Sequence, residues 1–405
     1  MMKHLKVAIV HEWLSTYAGS ERVVEQMIQI FPQAEVFAVV DFLPPHERAF
    51  LQGRKVHTSF IQRLPFAKKI FRHYLPLMPL AVEQFDLSSF DLVLSSSHAV
   101  AKGVLTGPNQ VHVSYVHSPI RYAWDLQSQY LQESGLTSGI KATIVRLSLH
   151  YMRLWDSRTN HGVDQFIANS AFIGRRIRKI YGRDSSVIYP PVDIRAFAGS
   201  APKGDYFLAA ARMVPYKKMP LIVEAFSKMP EHHLIIIGDG PDFARCQALA
   251  ASNVTVLGFQ SFSVLREHML RARAYVFAGE EDFGITLVEA QAAGTPVIAF
   301  GRGGARETVR PLGGSAAPTG VFFKAQTVES LVQAVRRFVL HEAEITSQAC
   351  IDNAAAFSPE RFRRELTEAL RAALDEFSAD FTALDEAEPV DSPTIDTTMP
   401  AVAVA

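Results

Sequence analysis

Short apolar runs of strand length recur along the whole chain, each separated from the next by a stretch with helical spacing, and that alternation leaves few folds open. In the first half the runs fall at residues 7–10, 35–40, 92–95, 111–116 and 165–168. In the second half they return at 206–211, 233–237, 254–257, 274–278, 297–300 and 320–323. Such runs suit strands buried on both faces, and the helices between them are the crossovers that parallel pairing demands. The chain is therefore predicted to be α/β, with two doubly wound, Rossmann-like domains.

The break between the two series is legible too. Tyr189-Pro190-Pro191-Val192-Asp193, with Gly199 and Gly204 beyond, concentrates turn formers near the midpoint. This predicts a first domain over 1–190, a second over 200–355 and a closing helix over 356–377. Residues 378–405, rich in Asp, Glu, Pro, Thr and Ala, have little to bury and read as a disordered tail. Doubly wound sheets bind ligands beyond the carboxyl ends of their strands, so a cleft between the facing domains is the expected site.

A hydrophobic fraction of 48% can fill two cores. The 41 basic and 41 acidic residues cancel, which gives none of the net positive charge that a nucleic-acid surface needs. Cys246 and Cys350 have neither metal nor redox spacing and read as reduced thiols of a cytosolic protein. The lead before the strand at 7–10 is too short for a signal-peptide core, and no run stays uncharged long enough to span a bilayer. The expectation is a cytoplasmic protein, soluble or peripheral on the inner membrane face.

The chemistry concentrates in Glu280-Glu281-Asp282-Phe283-Gly284-Ile285-Thr286-Leu287-Val288-Glu289-Ala290. Here a buried strand gives way to a short helix stopped at Gly294, with Phe283-Gly284 on the turn between them. Free N–H groups and the positive end of the helix dipole at such a turn suit hydroxyls and phosphates. Glu281 falls in the loop and Glu289 one turn into the helix, so a ligand lying across the helix start can meet a carboxylate at each end. The plainer alternative is an acidic pair that only complements the dipole. Past the strand at 206–211, Arg212 and Lys217 put two cations beyond a strand end, which suits a pyrophosphate gaining charge as a glycosidic bond breaks. Gly238-Asp239-Gly240-Pro241, Leu257-Gly258-Phe259 and Gly301-Arg302-Gly303-Gly304 each close a later strand with a turn.

Together, the Glu281-x7-Glu289 pair with its internal Phe-Gly, Gly294-Thr295-Pro296-Val297-Ile298, Arg212-x4-Lys217 and Gly238-Asp239-Gly240-Pro241 resemble the retaining glycosyltransferases of family four. The resemblance runs over about residues 7–362. It implies the GT-B architecture and a transfer with retention that needs neither metal nor cofactor, Arg212 and Lys217 standing in for the metal. By position it puts Glu281 on the donor sugar, Glu289 on the nucleotide ribose, and Arg212 and Lys217 on the donor phosphates. Gly238, Leu257, Phe283, Gly284 and Ile285 would line the donor as well. No carboxylate stands out as a nucleophile, so front-face displacement assisted by the leaving phosphate is the implied route.

In the first domain the strand at 7–10 leads through His11-Glu12-Trp13-Leu14 to Tyr17-Ala18-Gly19-Ser20-Glu21 at a helix start. Gly19 there lets the backbone reach a diphosphate, as the family's glycine-rich turn does. Ser20 replaces the second glycine of many relatives and is itself a good cap. His117-Ser118-Pro119-Ile120-Arg121-Tyr122 follows the strand at 111–116. A strand-end histidine is commonly a hydrogen-bonded structural residue; the resemblance instead puts His117 close to donor sugar and acceptor, beside Glu281, Lys217 and Arg212.

The layout of these motifs looks most like bacterial mannosyltransferases that build polysaccharides on lipid carriers, which implies GDP-mannose as donor and a lipid-linked saccharide as acceptor. Basic, aromatic stretches at 63–74 and 141–158 suggest contact with an anionic membrane, against the alternative of solvated helices with buried aromatics. The rival readings are a UDP-sugar donor, a sugar-nucleotide epimerase on the same fold, and an inactive GT-B subunit that keeps the cleft for binding.

Overall fold

In the computed structural model, which describes residues 2–199 and 201–385, the strands fall into two parallel sheets. The first holds β1 (Val7–Leu14), β2 (Glu35–Asp41), β3 (Val56–Thr58), β4 (Leu92–Ser97), β5 (Val111–Val116), β6 (Gln165–Ala168) and β7 (Ser186–Val187), in the order β3-β2-β1-β4-β5-β6-β7. The second holds β8 (Tyr206–Ala210), β9 (His233–Ile237), β10 (Val254–Gly258), β11 (Tyr275–Phe277), β12 (Val297–Phe300) and β13 (Gly320–Phe323), in the order β10-β9-β8-β11-β12-β13. Each sheet starts inside, winds to one edge and then reverses. The reversals open crevices between β1 and β4 and between β8 and β11, so the loops after those strands are where a ligand would sit.

The apolar runs that mark the strands also hold the helices to both faces. In β1, Val7 and Ile9 pack with Val23, Val24 and Met27 of the helix Gly19–Ile30, while Ala8 and Val10 pack on the other side with Met78 and Val82 of the helix Met78–Glu83. β8 repeats this, Phe207 and Ala209 entering one core and Leu208 and Ala210 the other. Each large aliphatic side chain buried in this way contributes about 1.5–3 kcal/mol.

Where sequence and structure differ, the reason is partnership. β1 runs past the apolar run 7–10 because His11 and Glu12, both fully buried, find polar partners across the sheet. β3 and β7 are short edge strands without an apolar run and were not expected. The closing helix, Pro359–Asp385, is longer than predicted and takes in 378–385, the first part of the stretch read as a tail. Residues 386–405 lie outside the described residues. That helix also crosses back to the first domain. Phe362, Leu366 and Leu370 share the core of Val7 and Ile9, and the Phe362 ring meets Tyr115 at 5.6 Å between centroids. The linker is fastened to the start of this return, Val192 N donating to Phe357 O at 2.9 Å and Arg361 to Tyr189 O at 2.7 Å.

Cys246 and Cys350 are free, and burial pushes their thiols up to about 11 and about 12, which keeps both protonated. Among the described residues, no helix is long and apolar enough to cross a membrane.

Candidate active site between the two domains

From the second domain, the loop after β11 and the helix Ile285–Ala292 present the two carboxylates. Gly284 caps that helix with φ 92°, a left-handed turn that suits glycine, and no side chain occupies the cap. Lys217, from the short 3-10 turn Pro215–Lys217 after β8, pairs directly with Glu281, and both side chains are 18% exposed. Its ammonium also lies over the rings of Tyr216 and Phe277, at 5.5 and 5.3 Å from their centroids.

The glycine turn after β9 is what aims these cations. A Cβ on Gly238 would stand 1.9 Å from the carbonyl oxygen of Ala211, so the turn can lie flat against the Ala211–Met213 backbone only as glycine. Met213 N then donates to Asp239 O at 2.8 Å. Gly238 therefore shapes the seat of Arg212. The Gly303-Gly304 turn does the same for the carboxylate loop: Gly304 N donates to Glu281 O at 2.8 Å, and a Cβ there would overlap the Phe283 backbone at 2.3 Å.

The first domain reaches the same place. Gly19 opens its helix so close to Ile285 that an added Cβ would meet Ile285 Cδ1 at 2.7 Å. One residue turn later, Arg22 Nη1 donates to Glu289 Oε1 at 3.0 Å. Burial raises the Glu289 carboxyl above its ordinary value, with Arg22 opposing. Arg72 lies over Phe71, 4.5 Å from its centroid, and is lowered by burial and by the neighbouring charge of Arg212. Two like charges brought together at a cleft suit an anion between them.

His117 sits in the first-domain floor. Its Nε2 shares a hydrogen bond with Ser96 Oγ at 2.9 Å, and the same hydroxyl meets His11 Nδ1 at 3.2 Å. His98 lies 6.3 Å from the His117 ring and 4.7 Å from Trp13. Burial holds His117 well below its ordinary value, with His98 and His11 adding like-charge opposition, so it is neutral at physiological pH. Among the described residues, His117 is thus hydrogen-bonded to the floor and to no second-domain group.

Two buried carboxylates brace that floor. Glu12, at the end of β1, accepts from the amides of His98, Ala99, Val100 and Ala101 at 2.7–3.1 Å and from Ser97 Oγ at 3.1 Å. Burial pushes its carboxyl up, but His98 and the amides of Val100, Ala101 and Ala99 bring it below the ordinary value. Glu21 reaches back to Ala18 N at 3.0 Å and across to His11 Nε2 at 3.3 Å. Against desolvation, the hydrogen bond and charge of His11 bring Glu21 from 4.5 down to about 2. A folded-state value below the unfolded one means that the unfolded chain binds the extra proton. Glu21 therefore stabilises the fold by on the order of 3 kcal/mol above the ordinary carboxylate range. The contribution is lost as pH falls from about 4.5 towards about 2. Urea unfolding across that window is expected to show a shallower acid limb in Glu21→Gln than in wild type; superimposable limbs would contradict this.

Asp282, inside the carboxylate motif, is a contact that the motif alone did not reveal. Its carboxylate takes Arg176 Nη1 at 2.8 Å and Arg121 Nη1 at 3.2 Å, both from the first domain. Its carbonyl takes Ser170 Oγ at 2.6 Å. Glu307 completes the seam by accepting from the amides of Ala171 and Phe172 at 2.7 and 2.9 Å, capping the helix Ala171–Tyr181 from across the cleft. Arg22, Asp282 and Glu307 were therefore missed. The signal within reach was their place in motifs already singled out: Arg22 three residues after Gly19, Asp282 beside Glu281, and Glu307 after the glycine turn.

Of the other expected donor residues, Ile285 faces Gly19 across the cleft as described. The Phe283 side chain is buried against Tyr189 and Phe357, with ring centroids at 5.7 and 5.5 Å, which leaves its backbone for a ligand. Leu257 sits at the end of edge strand β10 and is 36% exposed; Gly238 N donates to Gly258 O at 2.9 Å, tying that end to the glycine turn. Beside the Lys217–Glu281 pair opens a cavity of about 690 Å³, walled by Arg121, Tyr130 and Phe172 of the first domain and by Tyr216, Lys218 and Asp282 of the second. Glu281 and Glu289, the two carboxylates expected to hold the donor, are not in its wall; Lys217 and Arg22 lie on them.

Residues 17–196 match the family model described as Glycosyltransferase Family 4, and residues 193–357 match the one described as Glycosyl transferases group 1. The chain is 29% identical over 249 residues to a D-inositol 3-phosphate glycosyltransferase of Geodermatophilus obscurus, covering 53% of this chain and 54% of that protein. It is 27% identical over 246 residues to the enzyme of the same name from Mycobacterium marinum, covering 53% and 52%. The chain thus spans about half the length of the curated relatives it matches. In architecture it resembles Anabaena Alr3699/HepE, solved in complex with UDP-glucose, with a TM-score of 0.63 at 17% identity over 91% of this chain and 100% of that one. It also resembles the apo form of the lipopolysaccharide outer core galactosyltransferase WaaB, with a TM-score of 0.60 at 20% identity over 91% and 99%. The chain thus carries a domain matching the Glycosyltransferase Family 4 model followed by one matching the Glycosyl transferases group 1 model, on two doubly wound sheets with the GT-B fold.

Proposed function

We propose that this chain is a retaining hexosyltransferase that takes its sugar from a nucleoside diphosphate sugar, GDP-mannose first among them. The observation that carries the reading is the pairing at one helix start: Glu281 held by Lys217 from its own domain, and Glu289 held by Arg22 from the other. A nucleotide sugar replaces both pairs with better partners. Its hydroxyls go to the carboxylates, and its diphosphate collects the released cations together with Arg212 and Arg72.

The C1–O bond to the donor phosphate then breaks, its electron pair staying on the phosphate oxygen, where Arg212 and Lys217 neutralise the growing charge. The acceptor hydroxyl bonds to C1 from the same face and passes its proton to that oxygen. Neutral His117, in the floor with His98, is placed for the sugar and acceptor side. The charge that metal-dependent transferases draw from an ion comes here from the two side chains, and the reaction needs no cofactor. The acceptor is a saccharide on a lipid carrier, met at the cytoplasmic face of the inner membrane during cell-surface polysaccharide assembly.

A UDP-sugar donor is the second reading, favoured by the neighbour Alr3699/HepE, which was solved with UDP-glucose. The test is nucleotide release from GDP-, UDP- and ADP-sugars, with and without a crude lipid-linked acceptor fraction. Release from GDP-mannose alone supports the mannose reading, and release from a UDP-sugar replaces it while keeping the class. Silence with every donor overturns the transferase reading in favour of a binding subunit, and an epimerised donor would point to an epimerase.

A further inference from the structure

The helix Gly139–Arg158 is apolar on two sides, and the protein covers only one of them. Ala142, Leu149, Met152 and Trp155 are buried in the first domain. Ile140, Ile144, Leu147, Tyr151 and Leu154, spaced by alternating fours and threes, line up along another face and are 81, 57, 64, 45 and 60% exposed. A continuous ridge of this kind marks an interaction surface, unlike apolar residues scattered singly.

The charges beside the ridge choose the partner. Lys141, Arg146 and His150 are exposed along it, while the only carboxylate of the helix, Asp156, is buried against Lys102 at 3.0 Å. Two copies of the helix meeting along the ridge would set cations against cations in either direction. An anionic lipid surface meets both the apolar ridge and its cationic flanks. The stretch Phe71–Leu77 packs against this helix, and around it Phe66, Leu77 and Leu80 are exposed with Lys68 and Lys69. Phe71, by contrast, is buried at 3% exposure, so the stretch 63–74 contributes its rim rather than all its aromatics.

We propose that the ridge of Gly139–Arg158 is the docking surface of this protein for an anionic bilayer, the helix lying in the interfacial plane. Arg153 Nη1 donates to Ala123 O at 2.8 Å, which ties the helix to the segment that walls the interdomain cavity. Docking therefore brings that wall to the headgroups, where a lipid-linked acceptor resides; only this last consequence rests on the transferase reading.

The test is flotation of the full chain with phosphatidylglycerol–phosphatidylcholine vesicles and with phosphatidylcholine vesicles, for wild type and for the double variant Ile144→Glu, Leu147→Glu. Both positions are exposed, and circular dichroism with thermal melting checks that the variant is folded. Wild type is expected to float with the anionic vesicles and to be released by salt. The variant is expected to lose at least about tenfold in partitioning, and phosphatidylcholine alone to bind neither. Equal flotation of a folded variant, no flotation of wild type, or a ridge-dependent dimer by light scattering in its place would each overturn the proposal. Donor hydrolysis in vesicle-free buffer, run in parallel, is expected to be equal in both proteins. If neither releases nucleotide from any donor, with or without the acceptor fraction, while flotation behaves as stated, the transferase reading fails and the docking surface stands.

Discussion

Lys217→Ala is expected to lower nucleotide release at least ~100-fold, and Glu281→Ala to do the same, without loss of the fold. Both side chains of the pair keep 18% exposure, so the charge left behind by either substitution reaches water and the fold survives. The loop that carries Lys217 is held by backbone bonds, Met213 N to Asp239 O and Lys217 N to Val214 O at 2.9 Å, and both survive the substitution. What is lost lies in the transition state: the charge that meets the departing phosphate, or the carboxylate that orients the sugar. Because the two act on one event, the double variant should be far less impaired than the product of the two single losses. The measurement is kcat/KM for the donor identified by the panel, alongside melting temperature. Near-normal rates in either single variant would falsify the roles assigned to the pair.

The second large effect is on stability. Glu12→Ala is expected to cost about 4 kcal/mol and to lower the melting temperature by on the order of 10 °C. The carboxylate is fully buried, and its removal leaves a cluster of amide donors at the end of β4 without their acceptor. Glu12→Gln keeps one carbonyl oxygen but turns an NH₂ towards the same donors, so it should recover only part of the loss. Because these amides fix His98 beside Trp13 and His117, nucleotide release should fall with stability in both variants. A Glu12→Ala protein melting within a degree or two of wild type would show that the turn 97–101 has another support.

Much of this was open to reading from local pattern. The apolar runs of the central strands, the turn formers at 189–193 and the helix starts at Gly19 and Ile285 depend on near neighbours in sequence, and they were found close to where they were expected. The carboxyl end of β1 was not, because His11 and Glu12 look like loop residues until Ser96, Glu21 and the turn 97–101 are brought beside them. Nor does the motif around Phe283 show that its ring completes a core with Tyr189 and Phe357.

Periodicity and turn chemistry thus settled the class of fold, because each strand, turn and helix start is written within a dozen or so residues. Which charge meets which was decided by folding. Arg22 reaches Glu289 from 267 positions away, Glu307 caps Ala171 from 136, and the closing helix returns to the first core. Such pairings follow from how two sheets and a linker close on each other, and a desolvated ion pair or cap holds only where that closure removes water from both partners at once. No window of sequence contains that information, since the two halves of each contact are legible singly and their distance is not.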